Sequence, residues 1–158
     1  HTVKSLDELM GLYYLSVGCG SNLLINIGPG RDGKLPEPDA ARLLEFGAEI
    51  CRRFGTPIST EFEQRGDKYV VNLDGHRLVN HLVLSEDIAS GERIRSFRVT
   101  ANIPVTGGQV KLYEGRTVGY KRIVQFPTIK ASELTVEITS CEEGHCISSA
   151  AAYYVERA

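Results

Sequence analysis

The sequence predicts an α+β chain in which a helix–strand–helix segment precedes an antiparallel β-sandwich. Before about Thr56, apolar residues repeat at helical spacing on either side of one short apolar run. After Thr56, they form short alternating runs separated by Gly-containing turns. The 158 residues, 42% of them hydrophobic, suffice for one domain or for two small ones.

The first helix is predicted to begin after Ser5. Ser5 and Glu8 have the S-x-x-E spacing of a capping box. Apolar residues then recur at helical spacing: Leu6, Leu9, Met10, Tyr13 and Val17. Gly18 and Gly20 end the pattern, so the helix is expected to stop there.

A buried strand is predicted at residues 22–27. This run is apolar on both faces except at Asn26, which is typical of a parallel strand covered on both sides. A Gly/Pro-rich loop follows, and a second helix is predicted from Pro38 to the stop signals Gly55 and Pro57. Because one strand cannot form a parallel sheet, its neighbours are expected in residues outside this sequence.

Seven strands are predicted in the remainder, at residues 68–73, 78–84, 93–103, 109–114, 119–126, 133–139 and 151–156. The run 78–84 is expected to be central, because it is apolar on both faces apart from Asn80 and His81. Asp74-Gly75 and Gly107-Gly108 are predicted to form hairpin turns.

Charge and cysteine usage exclude several classes of function. The 18 basic and 20 acidic residues give a net charge of -2, so neither nucleic acid nor a membrane is expected as a partner. The four cysteines lack C-x-x-C spacing, so no zinc site and no other cofactor are predicted. Cys141 and Cys146 either close a small disulfide loop or remain free thiols. The cysteines leave the cellular compartment open, and export of the longer protein to which this sequence would belong is one option.

A phosphate-binding loop is the first alternative raised by the Gly-rich segment. Residues 28–34 fit G-x-x-x-x-G-K directly after the predicted strand. Leu35 stands where a magnesium-binding Ser or Thr is needed, and Pro36 and Pro38 delay the helix. A structural connection is therefore the favoured interpretation.

The same segment carries a family resemblance. Residues 22–29 read N-L-L-I-N-I-G-P, and Asp32-Gly33, Pro36 and the A-R-L-L-E-F-G of residues 41–47 follow. This succession resembles the last barrel strand, turn and helix of the α-L-fucosidases of glycoside hydrolase family 29. Residues 79–99 and 119–123 are similar to the sandwich that follows the barrel in bacterial and plant members, which is related to the discoidin (galactose-binding) module.

The resemblance implies two domains. Residues 1–56 would be the C-terminal end of a catalytic (β/α)8 barrel, and residues 57–158 a β-sandwich accessory domain. The implied parent enzyme hydrolyses α-L-fucosyl linkages of glycans with retention and without a cofactor. Its partners would be a fucosylated glycan and, for this piece, the catalytic barrel of the same polypeptide.

No catalytic residue is assigned in this sequence. Retaining hydrolysis needs two carboxylates about 5–5.5 Å apart, and in the family both come from earlier strands of the barrel. Asp32 follows the predicted strand but belongs to the Gly/Pro turn. The piece is therefore expected to be structural and inactive alone, and a non-catalytic carbohydrate-binding module is the alternative.

Tyr120, Lys121 and Arg122, with Arg116 nearby, form the candidate substrate-binding patch. Tyrosine can stack on a sugar ring, and Lys and Arg can donate hydrogen bonds to it. A solvent-facing strand of an antiparallel sheet has the same composition. His81 is expected to be a hydrogen-bonded core histidine rather than a ligand.

Overall fold

The structure, a computed structural model, describes residues 3–103 and 107–156. Within these ranges, two α-helices and a 3₁₀ turn at Val17–Cys19 precede six strands. The bounds are α1 Leu6–Leu15, α2 Glu37–Phe54, β1 Phe62–Arg65, β2 Lys68–Glu86, β3 Ile94–Ile103, β4 Gly108–Gly115, β5 Arg122–Cys141 and β6 Ile147–Tyr153. Among the residues described, none of the helices has the length and apolar character needed to cross a bilayer.

Both predicted helices are present, although α1 ends at Leu15 and Val17, predicted within it, lies in the 3₁₀ turn. The Ser5 hydroxyl accepts a hydrogen bond from the Glu8 backbone N–H at 3.2 Å, and the Glu8 carboxylate accepts one from the Ser5 N–H at 2.7 Å. These bonds satisfy two donors that the first turn of α1 leaves free. Helix α2 has Pro38 in its first turn and ends before Gly55. The two helices bury Leu9, Met10 and Phe46 in a small core of their own.

The predicted strand at residues 22–27 is not formed. Residues 21–30 have no regular secondary structure, and Leu24 is 92% exposed. Leu23 and Ile25 are partly buried against the core of the two helices. A strand needs a neighbouring backbone to complete its hydrogen bonds, and no described strand lies beside this segment. The strand that the predicted fold class places between the two helices is therefore absent from the sheet of this structure.

The strands form one antiparallel sheet in the order β1-β2-β5-β3-β4, with β6 also paired to β2. Strand β2 replaces the two strands predicted at 68–73 and 78–84, and β5 replaces those predicted at 119–126 and 133–139. The prediction of seven strands is therefore wrong, and β1 was not predicted. The central position of residues 78–84 is confirmed, because this part of β2 lies between β5 and β6.

Two register shifts interrupt the pairing of β2 with β5. The first lies between Asn72 and Arg77, where Asp74 and Gly75 have φ values of 51° and 91°. The predicted Asp74-Gly75 hairpin is wrong, since these residues form a bulge inside a continuous strand. The second shift lies between Val79 and His81, opposite residues 126–128 of β5.

The predicted hairpin at Gly107-Gly108 joins β3 to β4, which pair from Ile103 with Gly108 onward. Residues 104–106 of its loop lie outside the described residues. Both halves of β2 and β5 contribute to a single core: Tyr69, Leu82, Val124 and Leu134 share it with Phe97 of β3. The sheet therefore folds over one apolar interior, as a β-sandwich does.

Candidate functional site

The predicted patch lies at the start of β5. The Tyr120 side chain is exposed to 66%, but the Arg122 guanidinium is already engaged within the chain. Arg122 Nε donates to the Thr117 carbonyl at 2.9 Å, Nη2 donates to the Thr117 hydroxyl at 3.3 Å, and Nη1 lies 3.3 Å from Cys19 Sγ. Recognition of a ligand by this patch would therefore depend mainly on Tyr120 and the half-buried Lys121.

A buried carboxylate fixes the loop that carries Tyr120. Glu86 is 3% exposed, and its carboxylate accepts backbone hydrogen bonds from Arg93 at 2.6 Å, Ile94 at 2.9 Å and Gly119 at 3.2 Å. Three donors offset much of the cost of burying this charge. Sequence reasoning missed Glu86, because a glutamate at the end of a strand gives no sign that it is buried.

Gly119 is required by the same loop. Its φ is 63°, and a Cβ built there would lie 2.5 Å from Oε1 of Glu92. The flexible end of the Glu92 side chain could move aside, so it is the positive φ that favours glycine here. The hydrogen bond from Gly119 to Glu86 thus fixes the position of the loop that carries Tyr120.

Tyr120 lies near the amino end of the unpaired segment 22–27. Tyr120, Ser21, Asn22 and Leu23 line one cleft of about 380 Å³. The carboxyl end of the segment lines a different cavity of about 120 Å³, which Asn26 and Ile27 share with Arg42 and other residues. In (β/α)8 barrels, catalytic groups lie at the carboxyl ends of the strands. If the segment is a barrel strand, Tyr120 is at the end away from catalysis.

His81 joins the helical segment to the sheet. It is 6% exposed, and its Nε2 lies 2.9 Å from the Tyr14 hydroxyl of α1 and 3.2 Å from the Gln125 amide nitrogen. Its Nδ1 lies 2.7 Å from Oδ1 of Asn80. Burial, and then the positive charge of Arg53, lower the pKa of His81 to about 4. The expectation of a hydrogen-bonded core histidine is confirmed.

Packing around His81 extends the contact between helices and sheet. The Phe54 ring of α2 lies 5.4 Å from the Tyr153 ring of β6, centroid to centroid. At Gly18, a Cβ would come within 3.2 Å of Ile123, so the 3₁₀ turn approaches β5 closely. The helical segment and the sandwich therefore meet through aromatic rings and a tight backbone contact.

All four cysteines are free thiols, so of the two alternatives for Cys141 and Cys146 the structure has the unbridged one. His145 Nε2 lies 3.9 Å from a carboxylate oxygen of Asp67. The described residues contain no group of three or more His, Cys, Asp or Glu side chains arranged to hold a metal ion.

Comparisons with known proteins give a consistent set of relatives. The solved structure of a Bacteroides thetaiotaomicron protein assigned as an α-L-fucosidase superposes with a TM-score of 0.90 at 33% identity, over 97% of this chain and 35% of that one. The relatives of the present chain are thus α-L-fucosidases. An α-L-fucosidase of Arabidopsis thaliana is 26% identical over 162 residues, which cover 82% of this chain and 32% of the plant protein.

A glycoside hydrolase 29 family member from an unknown rumen bacterium superposes with a TM-score of 0.89 at 28% identity, over 98% of this chain and 29% of the other. No family model matches the chain. The chain thus spans about a third of the length of the fucosidases it resembles. The superpositions take in both the helical segment and the sheet, since nearly the whole chain is aligned.

Proposed function

We propose that the chain is the C-terminal part of a retaining α-L-fucosidase that hydrolyses α-L-fucosyl linkages of glycans, and that this part is structural. Residues 1–56 would be the terminal elements of a (β/α)8 barrel, and residues 57–158 an accessory sandwich. The catalytic carboxylates would then lie elsewhere in the polypeptide. The relatives support this proposal, because they are fucosidases about three times as long as the chain.

The unpaired segment 22–27 is the observation that carries the proposal. It has no sheet partner among the described residues, and Leu24 exposes 92% of its surface to water. Leu15 of α1 and Leu44 of α2 are also exposed, to 77% and 76%. Burying each leucine is worth about 1.5–3 kcal/mol, so a covering partner would stabilise this surface substantially. In the proposal, the partner is the remainder of the barrel.

The role of the sandwich follows from its contacts with the helices. Tyr14 of α1 bonds to His81, and Phe54 of α2 packs on Tyr153. These contacts hold the carboxyl ends of both helices against the sheet. In a barrel whose last helices are held in this way, the carboxyl end of the last strand, where catalytic groups lie, would stay in place.

Complementation of activity tests the proposal. The chain is mixed or co-expressed with the part of the Bacteroides thetaiotaomicron relative that it does not match, and hydrolysis of 4-nitrophenyl α-L-fucoside is measured. We expect no hydrolysis by either piece alone and measurable hydrolysis by the pair. Hydrolysis by the chain alone would contradict the structural role.

A matched pair of variants makes this experiment specific. Leu24→Asp places a charge where the segment would meet the barrel, so it is expected to abolish complementation. Tyr120→Ala removes another exposed side chain, 66% exposed, from the loop before β5, and is expected to leave complementation intact. Equal activity of the two complemented variants would argue against a barrel contact at Leu24.

A carbohydrate-binding module remains the second candidate function. The exposed Tyr120 on a loop fixed by Glu86 favours it, with Lys121 and Arg122 beside it. In this case the isolated chain binds fucosylated oligosaccharide, and Tyr120→Ala abolishes binding. Absence of binding at millimolar oligosaccharide would dismiss this candidate.

A further inference from the structure

A groove of about 760 Å³ lies at the second bulge between β2 and β5. Asn80 and His81 of β2 line it, together with residues 125–128 of β5, and Tyr154 and Glu156 contribute from the segment after β6. Pro127 belongs to the bulged residues, and its missing N–H cannot join the ladder. The volume is within the range of about 300–1,000 Å³ typical of ligand pockets. We name this feature the Tyr154 groove.

The groove has a preorganised polar floor. Asn80 is 9% exposed and lies, beside His81, in an otherwise apolar part of β2. Its side chain accepts from the Val155 N–H at 2.9 Å, donates to the Val155 carbonyl at 2.8 Å, and donates to the Thr128 hydroxyl at 3.2 Å. Asn80 also contacts His81 Nδ1 at 2.7 Å. A buried network with its bonds made in this way is rigid.

This network positions an aromatic side chain with spare bonding capacity. Because Asn80 holds the Val155 backbone at two points, the preceding residue, Tyr154, is fixed at the rim. Tyr154 is 39% exposed, and its hydroxyl has no hydrogen-bond partner among the described residues. Gln125 is bonded in that part of the chain only through its amide nitrogen, to His81. Its carbonyl oxygen is therefore available to a ligand.

The charges of the groove favour a neutral ligand. Arg53, its basic residue, is paired with Glu49 at 2.6 Å, and Glu156 adds an acidic group on the other side. The remaining polar groups are amides and hydroxyls. An aromatic ring beside neutral donors and acceptors suits a pyranose, whose C–H face stacks while its hydroxyl groups bond.

We propose that the Tyr154 groove binds a neutral sugar residue, with Tyr154 as the stacking surface and Gln125 and Thr128 as hydrogen-bonding partners. The choice of a sugar over other small polar molecules rests on the proposed function, since a fucosidase meets glycans. The position of the groove relative to catalysis rests on the same assignment, whereas the polar floor and the exposed Tyr154 do not.

The position of the groove assigns it a role different from catalysis. Helix α2 has 18 residues and is about 27 Å long. Arg53, at its carboxyl end, lines the groove, whereas Asn26 and Ile27 share a cavity with Asp39 near its amino end. The groove is therefore on the side of the molecule opposite the proposed catalytic edge. A sugar bound there would belong to a distant branch of a glycan or to another chain.

Nuclear magnetic resonance titration of the 158-residue chain tests the site. Backbone amide shifts are followed during addition of lactose or methyl α-L-fucoside, with glycerol as the non-ring control. We expect millimolar binding of at least one sugar, with the largest shifts at Gln125, Thr128 and Val155. Tyr154→Ala should weaken binding by about tenfold, because the stacking surface is lost.

Tyr120→Ala is the matched control, because Tyr120 is an exposed tyrosine next to a strand of the same sheet but outside the groove. It should change the affinity by less than about twofold. If Tyr154→Ala loses amide dispersion, Gln125→Ala provides the same reading, and it too should weaken binding. Absence of shifts with both sugars, or binding that Tyr120→Ala abolishes and Tyr154→Ala preserves, would overturn the proposal.

The outcome is separable from that of the proposed function. Tyr154→Ala is expected to leave complemented hydrolysis of the small aryl fucoside unchanged, because that substrate does not reach the groove. If complementation fails while sugar shifts map to the groove, only the fucosidase proposal falls. Complementation without groove shifts removes only the binding site.

Discussion

Two buried polar side chains, Glu86 and His81, determine much of the local order around the candidate sites. Each lies in β2, and each is satisfied by partners distant in sequence. A polar residue in a core is stable only with such partners, so removing or charging one has a large effect. Both residues therefore give sharp predictions at the scale of a single side chain.

Protonation of His81 should make the chain less stable in acid. Its pKa falls from an ordinary value of 6.5 to about 4 on folding, so the unfolded state binds the proton first. Stability is then full above pH 6.5 and decreases as the pH falls toward 4. The loss is about 3 kcal/mol at most, and urea unfolding across this range measures it.

The variant His81→Gln should flatten this pH dependence, because the amide does not titrate. His76→Gln is the control, since His76 is exposed and its replacement should keep the slope. An unchanged slope in His81→Gln would assign the acid sensitivity to other groups.

Replacing Glu86 should loosen the loop that carries Tyr120. In Glu86→Gln, one of the two acceptor oxygens becomes a donor, which leaves a buried N–H such as that of Gly119 without a partner. A loss of about 1–3 kcal/mol in unfolding free energy is expected. Glu61→Gln, at an exposed position, should cost little by comparison. Equal unfolding free energies for the two variants would contradict this account of Glu86.

At the scale of elements, the two bulges explain where sequence reasoning succeeded and failed. The capping box of α1 is a local pattern, and the structure has it. Alternation within residues 133–139 likewise predicts Leu134, Val136 and Ile138 on a buried face and Thr135 in water; the three apolar residues are buried, but Thr135 is buried as well, at 6% exposure. Asp74-Gly75 is equally a local signal, but its left-handed residues serve a bulge as well as a hairpin. Only the pairing with distant β5 decides between the two.

The candidate patch shows the same limit. The sequence brings Tyr120, Lys121 and Arg122 together because they are neighbours, but the engagement of Arg122 with Thr117 and Cys19 depends on the fold. The sequence predicts that segment 22–27 has no strand neighbour within this chain, and none of the described strands pairs with it. The prediction of a strand there is wrong for the same reason, since a strand needs a neighbouring backbone for its hydrogen bonds. The Tyr154 groove was not predicted, since its residues come from α2, β2, β5 and the segment after β6.

The first bulge predicts a specific cost for a small substitution. Gly75 has a φ of 91°, and no neighbouring atom would contact an added Cβ. Gly75→Ala should therefore lower the unfolding free energy by about 1–2 kcal/mol through backbone strain alone. Gly108→Ala, at a position without a positive φ, should cost less. Urea unfolding of both variants compares them, and a larger cost at Gly108 would contradict the bulge geometry.

The whole molecule combines a well-buried sandwich with a helical segment that leaves large apolar side chains in water. The sandwich core includes Leu82, Val124 and Leu134, each with no exposed surface. The helical segment buries Leu9, Met10 and Phe46 but exposes Leu24 and Leu44. This contrast fits a chain that completes one domain by itself and contributes only the edge of another.

Amide hydrogen exchange at residues 22–27 tests this picture most directly, with the chain alone and with the complementing part of the Bacteroides thetaiotaomicron relative. We expect fast exchange of these amides in the chain alone and strong protection in the complemented enzyme, while β5 amides such as those of Leu134 and Val136 stay protected in both. Equal protection of residues 22–27 in the two samples, or no protection in an active complemented enzyme, would contradict the assignment of this segment to a shared barrel sheet.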